Sequence, residues 1–238
     1  MTSGMPDGSG HALARLKRLV PLSDADLHAI AIRIGHRRTV RVRRELLREG
    51  QEMTETGLIV SGWAARSRLL PDGRRQFLSF LLPGDMIGLQ THARPLALCT
   101  VVALTELEVA TMPPAATSTT LAEAYALAHA LEEAHLLAQI IRLGRLNAQQ
   151  RIGDLLLELL ERSQLAALAS HSSFDLPLTQ EVLADATGLT PVHVNRMLQL
   201  MRREGDLRLK GGRVTLTDPD ALARKVGHVP VRVSATHQ

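Results

Sequence analysis

The stretch from Thr190 to Arg203 reads TPVHVNRMLQLMRR, and its residue types suit hydrogen bonding and ion pairing rather than bond-making. Thr190 followed by Pro191 predicts a sharp helix start. The hydroxyl caps the first turn, and proline's missing N–H costs nothing there. At helical spacing Val194, Met197, Leu198 and Met201 share one apolar side, which leaves Val192, His193, Asn195, Arg196, Gln199 and Arg203 outward. Thr179 caps an earlier short helix predicted through Ala186, and Gly188 supplies the turn between the two. Beyond them Leu207–Leu209, Lys210-Gly211-Gly212 and Arg213–Leu216 predict a two-stranded hairpin with a Gly-Gly turn. Two helices joined at a glycine, polar groups outward on the second and a hairpin behind, make a winged helix-turn-helix. Its chemistry would be recognition of duplex DNA. From Gly188 to Arg232 there are nine basic and four acidic residues, a local charge of +5, while the whole chain is only +4. The surplus therefore sits where a phosphate backbone would lie.

Other chemistry finds little support. The chain has no G-x-S-x-G, GxxxxGK[ST], HExxH or GxGxxG, so no enzyme activity is expected. A single cysteine, Cys99, excludes a disulfide framework or a Cys-rich cluster within one chain and reads as a small hydrophobe. His129 and His135 are six apart and do not share a helix face as a metal pair would. Neither they nor His92 are expected to bind metal or haem, and no resident cofactor is expected. One Trp, one Tyr and three Phe equip the chain poorly for stacking single-stranded bases.

The elements that must position the helix pair follow from punctuation. The 238 residues are 45% hydrophobic and 22% charged, as expected of a globular chain with a sizeable core. Residues 1–10, rich in Gly and Ser, read as a disordered lead-in. Leu13, Leu16, Leu19 and Val20 have helical spacing, and Ser23 with Asp26 resembles a capping arrangement before Leu27, Ile30 and Ile34. From Thr39 to Met112, Gly and Pro recur every 8–12 residues between apolar runs, which predicts a small β-barrel or sandwich. Residues 117–144 then lack proline and, until their last residue, glycine. They predict a helix about 40 Å long. Its Leu127, Leu131, Ala134, Ala138 and Ile141 have coiled-coil spacing, with Leu136, Ile140 and Leu143 on a second face. Such a helix either pairs with a partner helix or lies buried inside one large domain. NAQQRIGDLLLELLERSQLAAL predicts a further amphipathic helix, and the polar stretch His171–Pro177 a loop. The fold class is α+β, with boundaries at 1–10, 11–116, 117–144 and 145–238. No run of 18 apolar residues occurs, so no membrane partner and a cytoplasmic location are expected.

In this order the parts resemble the Crp/Fnr superfamily of bacterial transcription regulators. LTPVHVNRMLQ is similar to the family's recognition helix, and GWAARSRLLPDGRRQFLSFLLPGD to the hairpin leading to its ligand loop. The resemblance implies an N-terminal β-roll (jelly-roll-like), a long central dimerisation helix and a C-terminal winged helix. It also implies a homodimer paired along Leu127, Leu131, Ala134, Ala138 and Ile141, reading an inverted repeat in double-stranded DNA, with RNA polymerase as a protein partner. By motif the family's base readers fall on Pro191, Val192 and Arg196. Arg196 keeps the family's arginine, whereas Pro191 and Val192 depart from the usual Arg and Glu. His193 and Asn195 are the nearest polar replacements, so base reading is assigned to Val192, His193, Asn195 and Arg196. Phosphate contact is assigned to Thr179, Gln180, Thr190, Gln199, Arg203, Lys210 and Arg213.

At the family's ligand loop the departures are larger. Gly84-Asp85 is followed by Gly88-Leu89, and the cyclic-phosphate Arg-Ser pair falls on Ala97 and Leu98. Without the ribose carboxylate or the phosphate arginine, cyclic AMP in the standard mode is not expected; Arg94 is the nearest substitute cation. The effector is another small molecule or none. The competing reading is a small-ligand receptor whose C-terminal helices make protein contacts without binding DNA.

Overall fold

The computed structural model describes residues 8–89 and 93–233. His92 and most of the expected lead-in lie outside the described residues. The chain divides into two compact units. One is Met1–Ser67, Phe80–Ala130 and Leu165–Ala167; the other is Arg68–Ser79, Leu131–Gln164 and Leu168–Gln238.

The first unit opens with α1 (Gly8–Leu19), which begins inside the expected lead-in, and α2 (Asp24–Gly35). Ser23 caps α2: its hydroxyl oxygen accepts from the Asp26 N–H at 3.1 Å and its O–H donates to the Asp26 carboxylate at 2.7 Å. Thr120 and Ser118 donate to the same carboxylate. The hydroxyls of Thr120, Ser23 and Ser118 together hold that carboxyl at about 2, which pins the start of α3 (Thr119–Arg145) to α2.

Eight strands follow α2: β1 (Arg38–Val40), β2 (Glu45–Leu47), β3 (Gly57–Ser61), β4 (Ala64–Leu69), β5 (Arg75–Leu81), β6 (Met86–Ile87), β7 (Thr100–Ala103) and β8 (Leu107–Thr111). They form two four-stranded sheets, ordered β1-β8-β3-β6 and β2-β7-β4-β5. Period-two alternation explains the packing. Ile59 of β3 points between the sheets with Leu81, Val101, Leu107 and Val109. Its neighbours Leu58 and Val60 point the other way, to Leu16, Ile30, Leu121 and Tyr125 of the helices. This double-sheet roll is the fold class the sequence pointed to.

Gly84 closes the turn before β6. It adopts φ +90, and a Cβ there would lie 2.8 Å from the Arg15 Cβ. Only glycine lets α1 come so close, and α1 brings buried Arg15 to the Asp85 carboxylate. Gly84→Ala is expected to cost about 2–4 kcal/mol, combining left-handed strain with overpacking. Urea unfolding of the variant checks this.

In the second unit α4 (Ala148–Leu165) supplies the core through Ile152, Leu155, Leu156 and Leu159. A small antiparallel sheet, β11-β12-β10-β9, is built from β9 (Ala169–Ser170), β10 (Ser173–Asp175), β11 (Leu207–Lys210) and β12 (Arg213–Leu216). The expected loop at His171–Pro177 is thus corrected: it holds β10 and the turn from β9. Phe174 supplies the reason, since a single fully buried ring anchors an otherwise polar strand beside Val214. Finally α7 (Pro219–Val226) starts at Asp218, whose carboxylate accepts from the Ala221 N–H at 2.9 Å. No described helix is long and apolar enough to cross a membrane.

Candidate nucleic-acid interface

α5 (Gln180–Thr187) and α6 (Pro191–Arg203) are both capped by threonine. The Thr179 hydroxyl oxygen accepts from Val182 N–H and that of Thr190 from His193 N–H, each at 3.2 Å. Accepting uses a lone pair and leaves both O–H protons available to an outside acceptor. Gly188 ends α5 in the left-handed region at φ 65, so α6 can turn back across it. Val194, Leu198 and Met201 are buried and fix the rotation of α6 about its axis.

The carbonyls at the end of α5 do not face solvent unpaired. Gln76 donates to Asp185 O at 2.7 Å, Gln139 to Ala186 O at 2.6 Å and Arg151 to Thr187 O at 3.1 Å. Arg75 adds an ion pair with the Asp185 carboxylate at 2.9 Å. These four side chains, from the β4–β5 tip, α3 and α4, orient the helix pair. None was singled out from sequence, because their partners are mostly backbone carbonyls that carry no side-chain signature.

With that rotation fixed, the outward face of α6 carries the expected residues. Val192 is 80% exposed, Asn195 and Arg196 are exposed, and His193 is half-buried. They fall into two groups. Gln180 and Gln199 both donate to the Asn195 carboxamide oxygen, at 3.3 and 3.4 Å. Arg196 Nη2 approaches His193 Nε2 at 3.4 Å. Arg203 and Lys210 are exposed and have no hydrogen-bond or ion-pair partner among the described residues. Arg213 differs: it already pairs with Asp175 at 2.8 Å and donates to Ser173 at 2.9 Å.

α3 presents a different balance from its sequence pattern. Leu127, Leu131, Ala134 and Ala138 are half-buried. The exposed large apolar residues are Leu137 (55%), Ile140 (66%) and Ile141 (59%). The outward apolar strip therefore shares Ile141 with the coiled-coil stripe and is otherwise rotated toward Leu137 and Ile140. Opposite it, Arg142 is buried and bonds Asp154 at 2.7 Å and Glu158 at 2.6 Å on α4. Glu158 also pairs with Arg162 at 2.9 Å. Burial alone would raise the Glu158 carboxyl, but Arg142, Arg162 and the nearby His135 hold it down at about 2.

Among the described ligand-loop positions Asp85 is the charged one, and it is paired with Arg15. Gly84 and Asp85 serve the Arg15 contact, and the Gly88 carbonyl accepts from the Thr56 hydroxyl at 3.2 Å. Leu89 is buried in the helix-facing core, Ala97 is buried and bonded through its backbone to Gly50 and Gln51, and Leu98 is 82% exposed. Arg94 is paired with Glu52 at 2.9 Å. The buried Arg66 donates to the Met86 carbonyl at 3.2 Å. Among the described residues, Gly88, Leu89, Ala97 and Leu98 supply no charged side chain for a cyclic nucleotide held in the standard mode. Cys99 is half-buried, and no cluster of three or more His, Cys, Asp or Glu suited to a metal occurs among the described residues.

Comparison with known proteins agrees with this architecture. Residues 37–123 match the family model of the cyclic nucleotide-binding domain, and residues 150–225 that of the Crp-like helix-turn-helix domain. The chain is 31% identical over 190 residues to the nitrogen fixation regulation protein FixK of Azorhizobium caulinodans, covering 76% of this chain and 75% of the relative. It is 28% identical over 212 residues to the transcriptional activator protein FnrL of Cereibacter sphaeroides, covering 86% of each. The structure of FixK2 from Bradyrhizobium japonicum superposes with a TM-score of 0.70 at 25% identity, over 84% of this chain and 98% of that one. The chain belongs to the Crp/Fnr superfamily of transcription regulators and carries its helix-turn-helix DNA-binding domain.

Proposed function

We propose that the chain acts as a homodimer that reads an inverted-repeat operator in double-stranded DNA through α6. Val192, His193, Asn195 and Arg196 face base edges, while Thr179, Gln180, Thr190, Gln199, Arg203, Lys210 and Arg213 face phosphates. The observation that carries this reading is the exposed Val192–Asn195–Arg196 surface over the buried Val194, Leu198 and Met201. Val192 offers a methyl contact to thymine and cannot accept from cytosine, and Arg196 suits guanine. Residues 11–116 form the sensor part, 117–144 the pairing helix and 145–238 the DNA-binding part. Pairing uses Leu127, Leu131, Ala134, Ala138 and Ile141, with the exposed Leu137 and Ile140 widening that face. RNA polymerase is the protein partner. The signal is a small molecule other than cyclic AMP, or the protein acts without one; the uncharged Leu89 and Ala97 support this.

Arg196→Ala is expected to weaken operator binding by about 1–3 kcal/mol and relax preference at one base per half-site. Selection with wild type and variant side by side checks both. Uniform weakening with an unchanged motif would move Arg196 to the phosphates. Light scattering should return twice the 26.0 kDa chain mass; a monomer at micromolar concentration would contradict pairing.

A further inference from the structure

Val192, Asn195, Arg196 and Gln199 are spaced i, i+3, i+4 and i+7, so they share one face of α6. Asn195 sits in the middle of that face, and two glutamines hold one end of its side chain. Gln199 Nε2, one turn further along α6, donates to Asn195 Oδ1 at 3.4 Å. Gln180 Nε2, from the first residue of α5, donates to the same oxygen at 3.3 Å. A carboxamide oxygen has two lone pairs, so Oδ1 is fully occupied. Nδ2, with its two hydrogens, has no partner among the described residues.

The grip comes from both helices, and each position is itself fixed. Thr179 caps α5 immediately before Gln180. Val194 and Leu198, the residues preceding Asn195 and Gln199, are buried. All three amide side chains are exposed, and in water two bonds of this length are weak. Beneath a duplex they are shielded from water, where hydrogen bonds strengthen and a donor stripped of its acceptor is costly. Each glutamine uses one Nε2 hydrogen on Asn195 and keeps the second for a phosphate.

We propose that Gln180 and Gln199 are positioning residues that make Asn195 a donor-only reader, selecting guanine at its place in the half-site. The proposal rests on the reading of α6 as the operator-reading helix. Asparagine ordinarily pairs with adenine bidentately, Nδ2 donating to N7 and Oδ1 accepting from N6. With Oδ1 committed, the adenine N6 amino group meets no free acceptor. Guanine instead sets two acceptors, N7 and O6, side by side for the two Nδ2 hydrogens. Thymine offers O4 alone beside its methyl, and cytosine only a donor. The expected order of preference is therefore guanine, thymine, adenine, cytosine.

The test selects random duplex DNA with the full chain as wild type, N195A and Q180A/Q199A. NMR relaxation of the Asn195 side-chain amide is measured alongside, in free wild type and free double variant. N195A marks the position by blurring it. There wild type should prefer guanine over adenine about tenfold. Q180A/Q199A, with the Asn195 oxygen released, should take adenine at least as well as guanine. The amide should be ordered in wild type and mobile in the double variant. Loss of phosphate contacts alone would weaken every operator alike, so a double variant that binds more weakly with an unchanged base preference would overturn the proposal. Adenine preferred by wild type at that position would also overturn it, as would an N195A motif identical to wild type or an amide equally mobile in both proteins. If wild type enriches nothing, the α6 reading fails and the proposal falls with it. An ordered Asn195 amide in that case places the failure in DNA reading and not in the glutamine grip.

Discussion

Arg142→Ala is expected to destabilise the second unit by about 3–5 kcal/mol at pH 7, among the largest effects of any single substitution. Arg142 is 2% exposed. Its three donor nitrogens bond Asp154, Gln139 and Glu158, which joins α3 to α4. Removing the guanidinium leaves Glu158 charged and buried, with Arg162 and the nearby His135 as weaker compensation. The penalty should shrink as pH falls. Without Arg142 the Glu158 carboxyl rises from about 2 toward the higher value that burial favours, and protonation then relieves the unpaired charge. In wild type the sign is opposite. The depressed Glu158 contributes stability above the ordinary value of 4.5 and loses it as pH falls toward 2. Urea unfolding of wild type and variant at pH 7, 4.5 and 3 reads both effects; a penalty that is small at pH 7, or that grows in acid, would contradict them. Because Gln139, one turn before Arg142, also holds the Ala186 carbonyl, the variant should additionally loosen operator binding.

The second large effect is a loss of stability on the alkaline side. His228, just beyond α7, has its Nδ1 at 2.6 Å from Asp154 and its Nε2 at 3.1 Å from Glu161, both on α4. Burial would lower its pKa, but the hydrogen bonds to Asp154 and Glu161, with their charges, raise it from 6.5 to about 9. Two carboxylates at the two ring nitrogens suit the imidazolium, which donates from both. A folded pKa above the unfolded one gives stability that is complete below pH 6.5 and disappears as pH rises through 9. The total is about 3 kcal/mol. Urea midpoints at pH 6 and pH 9.5 should therefore differ in wild type and converge in His228→Gln. A wild-type midpoint that does not fall across this range would contradict the ion-pair account.

Much of the recognition unit was legible because its signals are local. Thr179, Gly188, Thr190 and Pro191 each act through the nearest turn of backbone; the structure ends α5 one residue past the expected Ala186 and starts α6 at Pro191 after its Thr190 cap. The strands of the roll were legible in the same way, from Gly and Pro punctuation and the alternation of Leu58, Ile59 and Val60. What escaped depends on residues far apart in the chain. Arg142, Asp154, Glu158 and His228 are ordinary solvated types until α3, α4 and the segment after α7 meet. Spacing alone also could not say which side of α3 faces inward. Burial of Arg142 against Asp154 and Glu158 of α4, and of Gln139 against the Ala186 carbonyl of α5, leaves Leu137 and Ile140 exposed beside the Leu127–Ile141 stripe.

The most direct test of the central claim is in-vitro selection of random duplex DNA with the full-length chain. The account predicts an enriched inverted repeat, with half-site centres about 10 base pairs or a multiple apart as a two-fold dimer requires. It also predicts that Arg196→Ala blurs one position in each half. Recovery of no enriched sequence at moderate salt, by protein shown to be folded, would contradict it and favour a receptor whose helices α5 and α6 make protein contacts instead.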